Sequence, residues 1–261
     1  SVITRTSVNF TDFSGQEVSK ATQRIQWDPV MAEKVGYKHF MLKEIFEQPR
    51  AIQETVLGRV SEEHGSVLLG ELNISDDDLR KIEQVEILAC GTSWHAGLVG
   101  KFLIEQLARI RVDVDYGSEY RYRNPIAGNR TLAVVITQSG ETADTLAALR
   151  EAKAQDSKSI AICNVVGSMA TRETTGTIYT HAGPEIGVAS TKTFSSQLVA
   201  LYLLALRLGQ IRGTLQDKDV RHHIEGLMQL PSLMQHCLRC NAAIVKIAKR
   251  FYRTENFLYL G

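Results

Sequence analysis

The side chains best suited to hold an anion lie in Thr137-Gln138-Ser139-Gly140-Glu141-Thr142. Thr137, Ser139 and Thr142 each bring a hydroxyl, and Gly140 lets the backbone come close to a ligand. A helical pattern opens just after Thr142, so unpaired N–H groups and the positive end of a helix dipole face the same turn. Hydroxyls and amides together suit a phosphate. The plainer alternative is that Ser139 or Thr142 only caps the helix. Gly91-Thr92-Ser93 repeats the arrangement on a smaller scale, and two such turns could face one phosphate.

Each turn follows an apolar run that must position it. Val134-Val135-Ile136 and Val85-Glu86-Ile87-Leu88-Ala89-Cys90 read as strands of a parallel sheet covered on both faces. From Lys81 onward the pattern alternates. Strands are predicted at about 84–90, 112–116, 131–137, 158–164 and 177–181, and helices at 94–109, 142–155, 168–173 and 191–208. The helix at 94–109 offers Leu98, Phe102, Ile104 and Leu107 for packing. Short connections between alternating elements imply an α/β fold: a three-layer, doubly wound, parallel five-stranded sheet with flanking helices. If the strands at 84–90 and 131–137 are first and third in a flavodoxin-like order, their loops flank the point where the order reverses, where ligands of such sheets bind. A third loop, Gly183 to Lys192, also follows a strand and opens a helix. Its glycines and hydroxyls could equally mark a turn, with Glu185 and Lys192 an ordinary surface pair.

Composition narrows the class. The chain has 261 residues, 44% hydrophobic and 23% charged, with a net charge of +1, enough to bury a full core in one or two domains. Nothing in that balance points to nucleic acid or a membrane held by bulk charge. Asp76-Asp77-Asp78 reads as the solvated first turn of a helix capped by Ser75. With no charged-then-apolar leader and no uninterrupted apolar span of about 18 residues, the cytoplasm is the expected setting. Cys90, Cys163, Cys237 and Cys240 are too few and too uneven for a disulfide framework. Cys237-Leu238-Arg239-Cys240, beside His236, has no second pair to complete a zinc site. Leu227, Leu230, Leu233, Leu238, Ile244 and Ile247 suggest helix packing there instead. No cofactor and no metal are expected.

The flanks have another character. Thr4 to Phe13 alternates as a strand, Ser14-Gly15 makes a turn, and Glu17 to Ile25 returns, a hairpin too small to be stable alone. Residues from about Trp27 to Tyr37, with Asp28-Pro29, form a connection. Phe40 to Val60 has helical periodicity, which Gln48-Pro49 is expected to split into two helices. Residues 214–253 look helical, and Phe257-Leu258-Tyr259-Leu260-Gly261 resembles a strand entering a glycine turn.

Cys90-Gly91-Thr92-Ser93, Thr137 to Thr145, Glu185-Ile186-Gly187-Val188-Ala189-Ser190-Thr191-Lys192 and Met41-Leu42-Lys43-Glu44-Ile45-Phe46-Glu47-Gln48-Pro49 together resemble the isomerising glutamine–fructose-6-phosphate aminotransferases. The S-G-E-T-A-D-T stretch is typical of sugar isomerase (SIS) domains in general; the other segments narrow the likeness, which covers nearly the whole chain. The resemblance implies an SIS-type fold and a part in making glucosamine 6-phosphate from fructose 6-phosphate and glutamine. It further implies that residues 1–37 are the tail of a glutaminase domain and a linker, that 38–208 form the first SIS subdomain, and that 209–261 are connecting helices with the first strand of a second. Thr92, Ser93, Thr137, Gln138, Ser139 and Thr142 would hold the sugar phosphate. Val188 and Ser190 would touch the sugar. The family more often has serine where Thr137 stands, which keeps the hydroxyl.

The same resemblance implies a homodimer. It places the family's glutaminase nucleophile, an N-terminal cysteine, where this chain has Ser1, and puts the isomerase acid–base residues in a second SIS subdomain and a C-terminal tail. The chain by itself is therefore expected to bind a hexose phosphate without hydrolysing glutamine or converting sugar. Two other readings stand beside this. A stand-alone phosphosugar isomerase would need a base such as Glu141 or His95, and a non-catalytic sugar-phosphate sensor would come with a DNA-binding helix-turn-helix, of which no basic recognition helix is visible.

Overall fold

The structure is a computed structural model that describes residues 1–21 and 33–258. At the N-terminus, β1 (Val2–Ile3) pairs antiparallel with β2 (Val8–Asn9), and a second tight turn follows with a bridge between Thr11 and Glu17. The single arm expected from Thr4 to Phe13 is thus two narrow hairpins. The reason is local: the Thr4 hydroxyl accepts from the amides of Thr6 and Ser7 at 3.3 and 2.9 Å, closing a turn inside the alternating stretch. The return beyond Ala21 and the connection from Trp27 to Ala32 lie outside the described residues.

Helix α1 (Phe40–Val56) runs unbroken through Pro49, contrary to the expected split. Proline removes the amide that the Ile45 carbonyl would receive. The neighbouring Gln48 replaces it, its Nε2 donating to that carbonyl at 2.9 Å. After the small antiparallel pair β3 (Val60–Ser61) and β4 (Ser66–Val67) comes α2 (Asp76–Arg80), whose Asp78 amide donates to the Ser75 hydroxyl at 3.2 Å, the cap the sequence announces.

The remaining strands are β5 (Gln84–Ala89), β6 (Arg111–Tyr116), β7 (Thr131–Thr137), β8 (Lys158–Cys163) and β9 (Gly176–Tyr179). All pair in parallel, in the order β6-β5-β7-β8-β9, the flavodoxin-like arrangement expected. Between them lie α3 (Thr92–Leu107), α4 (Gly117–Tyr120), α5 (Ala143–Ala154) and α6 (Met169–Glu173), and α7 (Lys192–Arg212) follows β9. Because strand side chains alternate in direction, the sheet feeds two cores. Val85, Ile87, Ala89, Leu132, Val134 and Ile136 join α3 and α7 on one face, while Leu88, Ala133 and Val135 join α5 on the other. Phe102 of α3 is an exception to the expected packing, standing exposed on the outer face.

Helix α7 has the length and apolarity of a membrane span. Its composition is explained by burial against sheet and helices: Leu201, Leu203, Leu204, Leu206 and Leu208 are fully enclosed, each contributing roughly 1.5–3 kcal/mol. Helices α8 (Asp217–Cys237) and α9 (Asn241–Phe251) continue the chain, joined by a 3₁₀ turn that holds Cys240. Leu227 packs into the core and Leu230 against it, but Leu233, Ile244 and Ile247 remain exposed, so the expected packing stops partway along α8. Phe257 and Leu258 are not in a strand; Tyr259 to Gly261 lie outside the described residues.

One polar pair sits inside the α5-side core. The Tyr120 hydroxyl donates to the Glu86 carboxylate in the middle of β5, both residues being buried. Burial pushes the Glu86 carboxyl above the usual glutamate range; the Tyr120 hydroxyl and the Arg123 charge pull it the other way without cancelling the shift. A carboxyl that binds its proton more tightly in the folded state stabilises fully below its ordinary pKa, and that contribution is lost as pH rises through the raised folded value. Glu86→Gln removes this loss. In urea unfolding across the acid-to-neutral range, the variant's stability relative to the unaltered chain is expected to rise with pH; a difference independent of pH would contradict the assignment.

Candidate functional site

The order of the strands reverses between β5 and β7, which are neighbours in the sheet. From β5 the chain crosses through α3 to β6 on one side; from β7 it crosses through α5 to β8 on the other, on the opposite face. Their loops diverge and leave a crevice of about 410 Å³. It is lined by Gly91, Thr92 and Ser93, by Thr137, Gln138, Ser139 and Thr142, and by residues of the third loop from Glu185 to Ser190. The sheet order therefore brings all eight sequence-predicted site residues to one place. A larger cleft between α1 and α8, about 700 Å³, lies away from the strand ends and gathers no comparable set of hydroxyls.

The way these hydroxyls are held decides what they can do. Thr137 Oγ1 accepts from the Gly140 amide at 3.1 Å, Ser139 Oγ from the Glu141 amide at 3.2 Å, and Ser93 Oγ from Gln197 Nε2 at 3.0 Å. Each bond occupies an acceptor lone pair and leaves the O–H proton free to donate. Thr137 and Thr142 also share a hydrogen bond at 3.4 Å that either hydroxyl can donate, so one of those two protons is taken. Neither α3 nor α5 has a side-chain cap, so Thr142 does not spend its hydroxyl on the helix it precedes, as the capping alternative required. Among the described residues, no lysine or arginine lines the crevice. The arrangement offers hydroxyl protons and the positive ends of two helices, a setting for an anion.

The third loop is built differently. Ser190 donates to Glu185 Oε2 at 2.9 Å, so its proton is already taken, while Val188 stands fully exposed at the tip. Glu185 also accepts from the amides of Thr191 and Thr193 at 2.9 and 3.2 Å, capping α7. Lys192 is buried and pairs with Glu47 of α1 at 2.7 Å, so Glu185 and Lys192 are not the surface pair their types suggested. Sequence reasoning also passed over Glu44, whose Oε1 accepts from the Ile186 and Gly187 amides at 2.6 and 3.1 Å, and Gln197. The signal for Glu44 and Glu47 was their three-residue spacing, which puts both on one face of α1. Gln197, in the second turn of α7 directly after Ser195 and Ser196, carried none.

Of the two candidate bases, Glu141 accepts from the Met169 amide at 2.9 Å and holds the start of α6, and His95 is exposed beside the Trp94 ring. Among the described residues, no three His, Cys, Asp or Glu side chains cluster as they would around a metal ion.

Residues 78–207, which hold the doubly wound sheet and both hydroxyl turns, match the SIS domain family. The chain thus carries an SIS domain. Over 260 residues it is 52% identical to the isomerising glutamine--fructose-6-phosphate aminotransferase of Methanosarcina acetivorans, and 49% identical to that of Caldanaerobacter subterraneus subsp. tengcongensis. Each match covers 100% of this chain, and respectively 42% and 43% of the relative. The C-terminal domain of the glucosamine-fructose-6-phosphate aminotransferase from Francisella tularensis superposes with a TM-score of 0.80 at 40% identity, covering 85% of this chain and 62% of that one. The chain is accordingly related throughout its length to the isomerising glutamine–fructose-6-phosphate aminotransferases, spanning about two fifths of theirs.

The β7–α5 turn is strapped from below. Gly140 has a φ of +70°, its carbonyl accepts from the Ala170 amide at 3.0 Å, and a Cβ placed on it would lie 1.9 Å from Ser168 Oγ. Gly140→Ala therefore meets both backbone strain and a collision, and is expected to cost about 2–4 kcal/mol. Gly128→Ala, where a Cβ meets nothing within 4 Å, is the control. Urea midpoints for both check this; equal stability of the two variants would contradict it.

Proposed function

We propose that the crevice binds the phosphate of a hexose 6-phosphate, and that the chain is the sugar-phosphate-binding part of an enzyme making glucosamine 6-phosphate from fructose 6-phosphate and glutamine. Thr92, Ser93, Thr137, Gln138, Ser139 and Thr142 hold the phosphate in this reading, and Val188 with the backbone around Ser190 borders the sugar. The observation that carries it is the state of the hydroxyls: Ser139 and Ser93 are fixed as acceptors from protein donors, which leaves their protons for an anionic ligand, and Thr137 and Thr142 share one hydrogen bond, so at most one of their two protons is taken. A phosphate bound through hydroxyls and helix amides, without a lysine beside it, is a remote anchor. Its binding energy fixes the position of the reacting carbons.

The names of the relatives supply the substrate, and their 52% and 49% identity over the whole chain supports carrying it here. The division into 1–37, 38–208 and 209–261, a homodimer and a cytoplasmic setting belong to the same proposal. A stand-alone isomerase is disfavoured by Glu141, whose carboxylate is engaged with α6, and by His95, which faces solvent.

Calorimetry with fructose 6-phosphate tests the site. Losing one hydroxyl that donates to a charged group costs roughly 1.5–3 kcal/mol, so Ser139→Ala and Thr142→Val are each expected to weaken binding about tenfold or more. Unaltered affinity in both variants would remove the phosphate assignment.

A further inference from the structure

Between β9 and α7 the crevice is walled by a loop with an exposed tip, and such a wall keeps its place only if something outside it holds on. Helix α1 supplies that hold at two points. Glu44, 2% exposed, receives the Ile186 and Gly187 amides on Oε1 and approaches the Gly187 amide again with Oε2 at 3.1 Å. Three residues on, Glu47 receives the Lys192 ammonium at 2.7 Å, with the lysine side chain 1% exposed. A cation at the first position of a helix is unfavourable against the dipole, and its burial adds a desolvation cost; Glu47 offsets both.

Gly187 shows how closely the loop sits on the helix. A Cβ there would stand 2.5 Å from Glu44 Oε2 and 3.3 Å from Met41 Cα. The helix is itself fixed to the sheet side of the molecule, since Thr55 Oγ1 donates to the Thr180 carbonyl, just beyond β9, at 2.7 Å. Loop, helix and strand end therefore form one closed frame, and the height of residues 186–188 over the crevice is set by two carboxylates that do not line it.

We propose that Glu44, backed by the Glu47–Lys192 pair, is a positioning residue that holds the 186–188 backbone against the sugar while taking no part in phosphate binding. This rests on the reading that the crevice takes a hexose phosphate. It assigns a task to two acidic residues of the Lys43-Glu44-Ile45-Phe46-Glu47 segment, which sequence alone left as part of a likeness. Because the phosphate turns lie after β5 and β7 and share no hydrogen bond with Glu44, loss of its carboxylate separates the two halves of the ligand.

The test uses the full chain with Glu44→Ala and Glu44→Gln. Hydrogen exchange without ligand should show the Ile186 and Gly187 amides exchanging about tenfold faster or more in Glu44→Ala, with the Gly140 amide unchanged. In calorimetry, fructose 6-phosphate should bind about tenfold more weakly to Glu44→Ala, and inorganic phosphate within about twofold of the unaltered chain. Glu44→Gln, which keeps one carbonyl acceptor, should fall between. Unchanged exchange at 186 and 187 would overturn the proposal, and so would an equal loss for both ligands, the mark of general unfolding. Should the unaltered chain bind neither ligand, the crevice reading would fall and the role toward the sugar with it, whereas wild-type binding with unchanged loop exchange would sink the positioning role alone.

Discussion

Two parallel strands lying side by side, with their following helices on opposite faces, cannot have loops that run together. This constraint at β5 and β7 organises the molecule. Both faces of a parallel sheet must be covered, so α3 goes to one side and α5 to the other. The backbone parts at the carboxyl edge, and the gap is walled by the starts of two helices. No side chain had to be specialised to create the crevice. The side chains decide only what enters it.

What enters is governed by how polar groups are satisfied. A buried or half-buried hydroxyl needs partners, and around this crevice protein donors fill its acceptor side. Gln197 does this for Ser93 from within the core helix, and the amides of Gly140 and Glu141 do it for Thr137 and Ser139. Carboxylates are treated in the opposite way. Glu44, Glu141 and Glu185 are each occupied by backbone amides, so the acidic groups near the crevice hold loops and helix starts in place, with their charge already directed at the protein. The same distribution of roles makes the rim rigid and its donors available.

Much of this was written in the residues. The β-branched runs at 84–90 and 131–137, each ending in a small hydroxyl turn, specified strands, order and crevice, because burial on both faces admits little but continuous apolar strands. The turns that carry the eight proposed site positions were visible for the same reason, and the structure brings them to one crevice. Less visible were features that depend on partners far along the chain. The continuity of α1 past Pro49 needed Gln48 to turn back on Ile45, a side-chain choice that periodicity does not encode. The pairing of Lys192 with Glu47, 145 residues apart, and the seat of Gly187 on Glu44 arise only when α1 packs on α7. Phe102 and the apolar side of α9 read as core by type and are exposed, since amphipathic spacing marks a face to be covered without saying what covers it.

Convergence of turns from two strands on one phosphate is tested most directly by a crystal structure of the chain soaked with fructose 6-phosphate. The expected result places the phosphorus between the β5–α3 and β7–α5 turns, with its oxygens at hydrogen-bonding distance from Ser93, Ser139 and Thr142 and the sugar extending toward Val188. Density for the ligand elsewhere on the surface, with the crevice holding only solvent at saturating concentration, would contradict it.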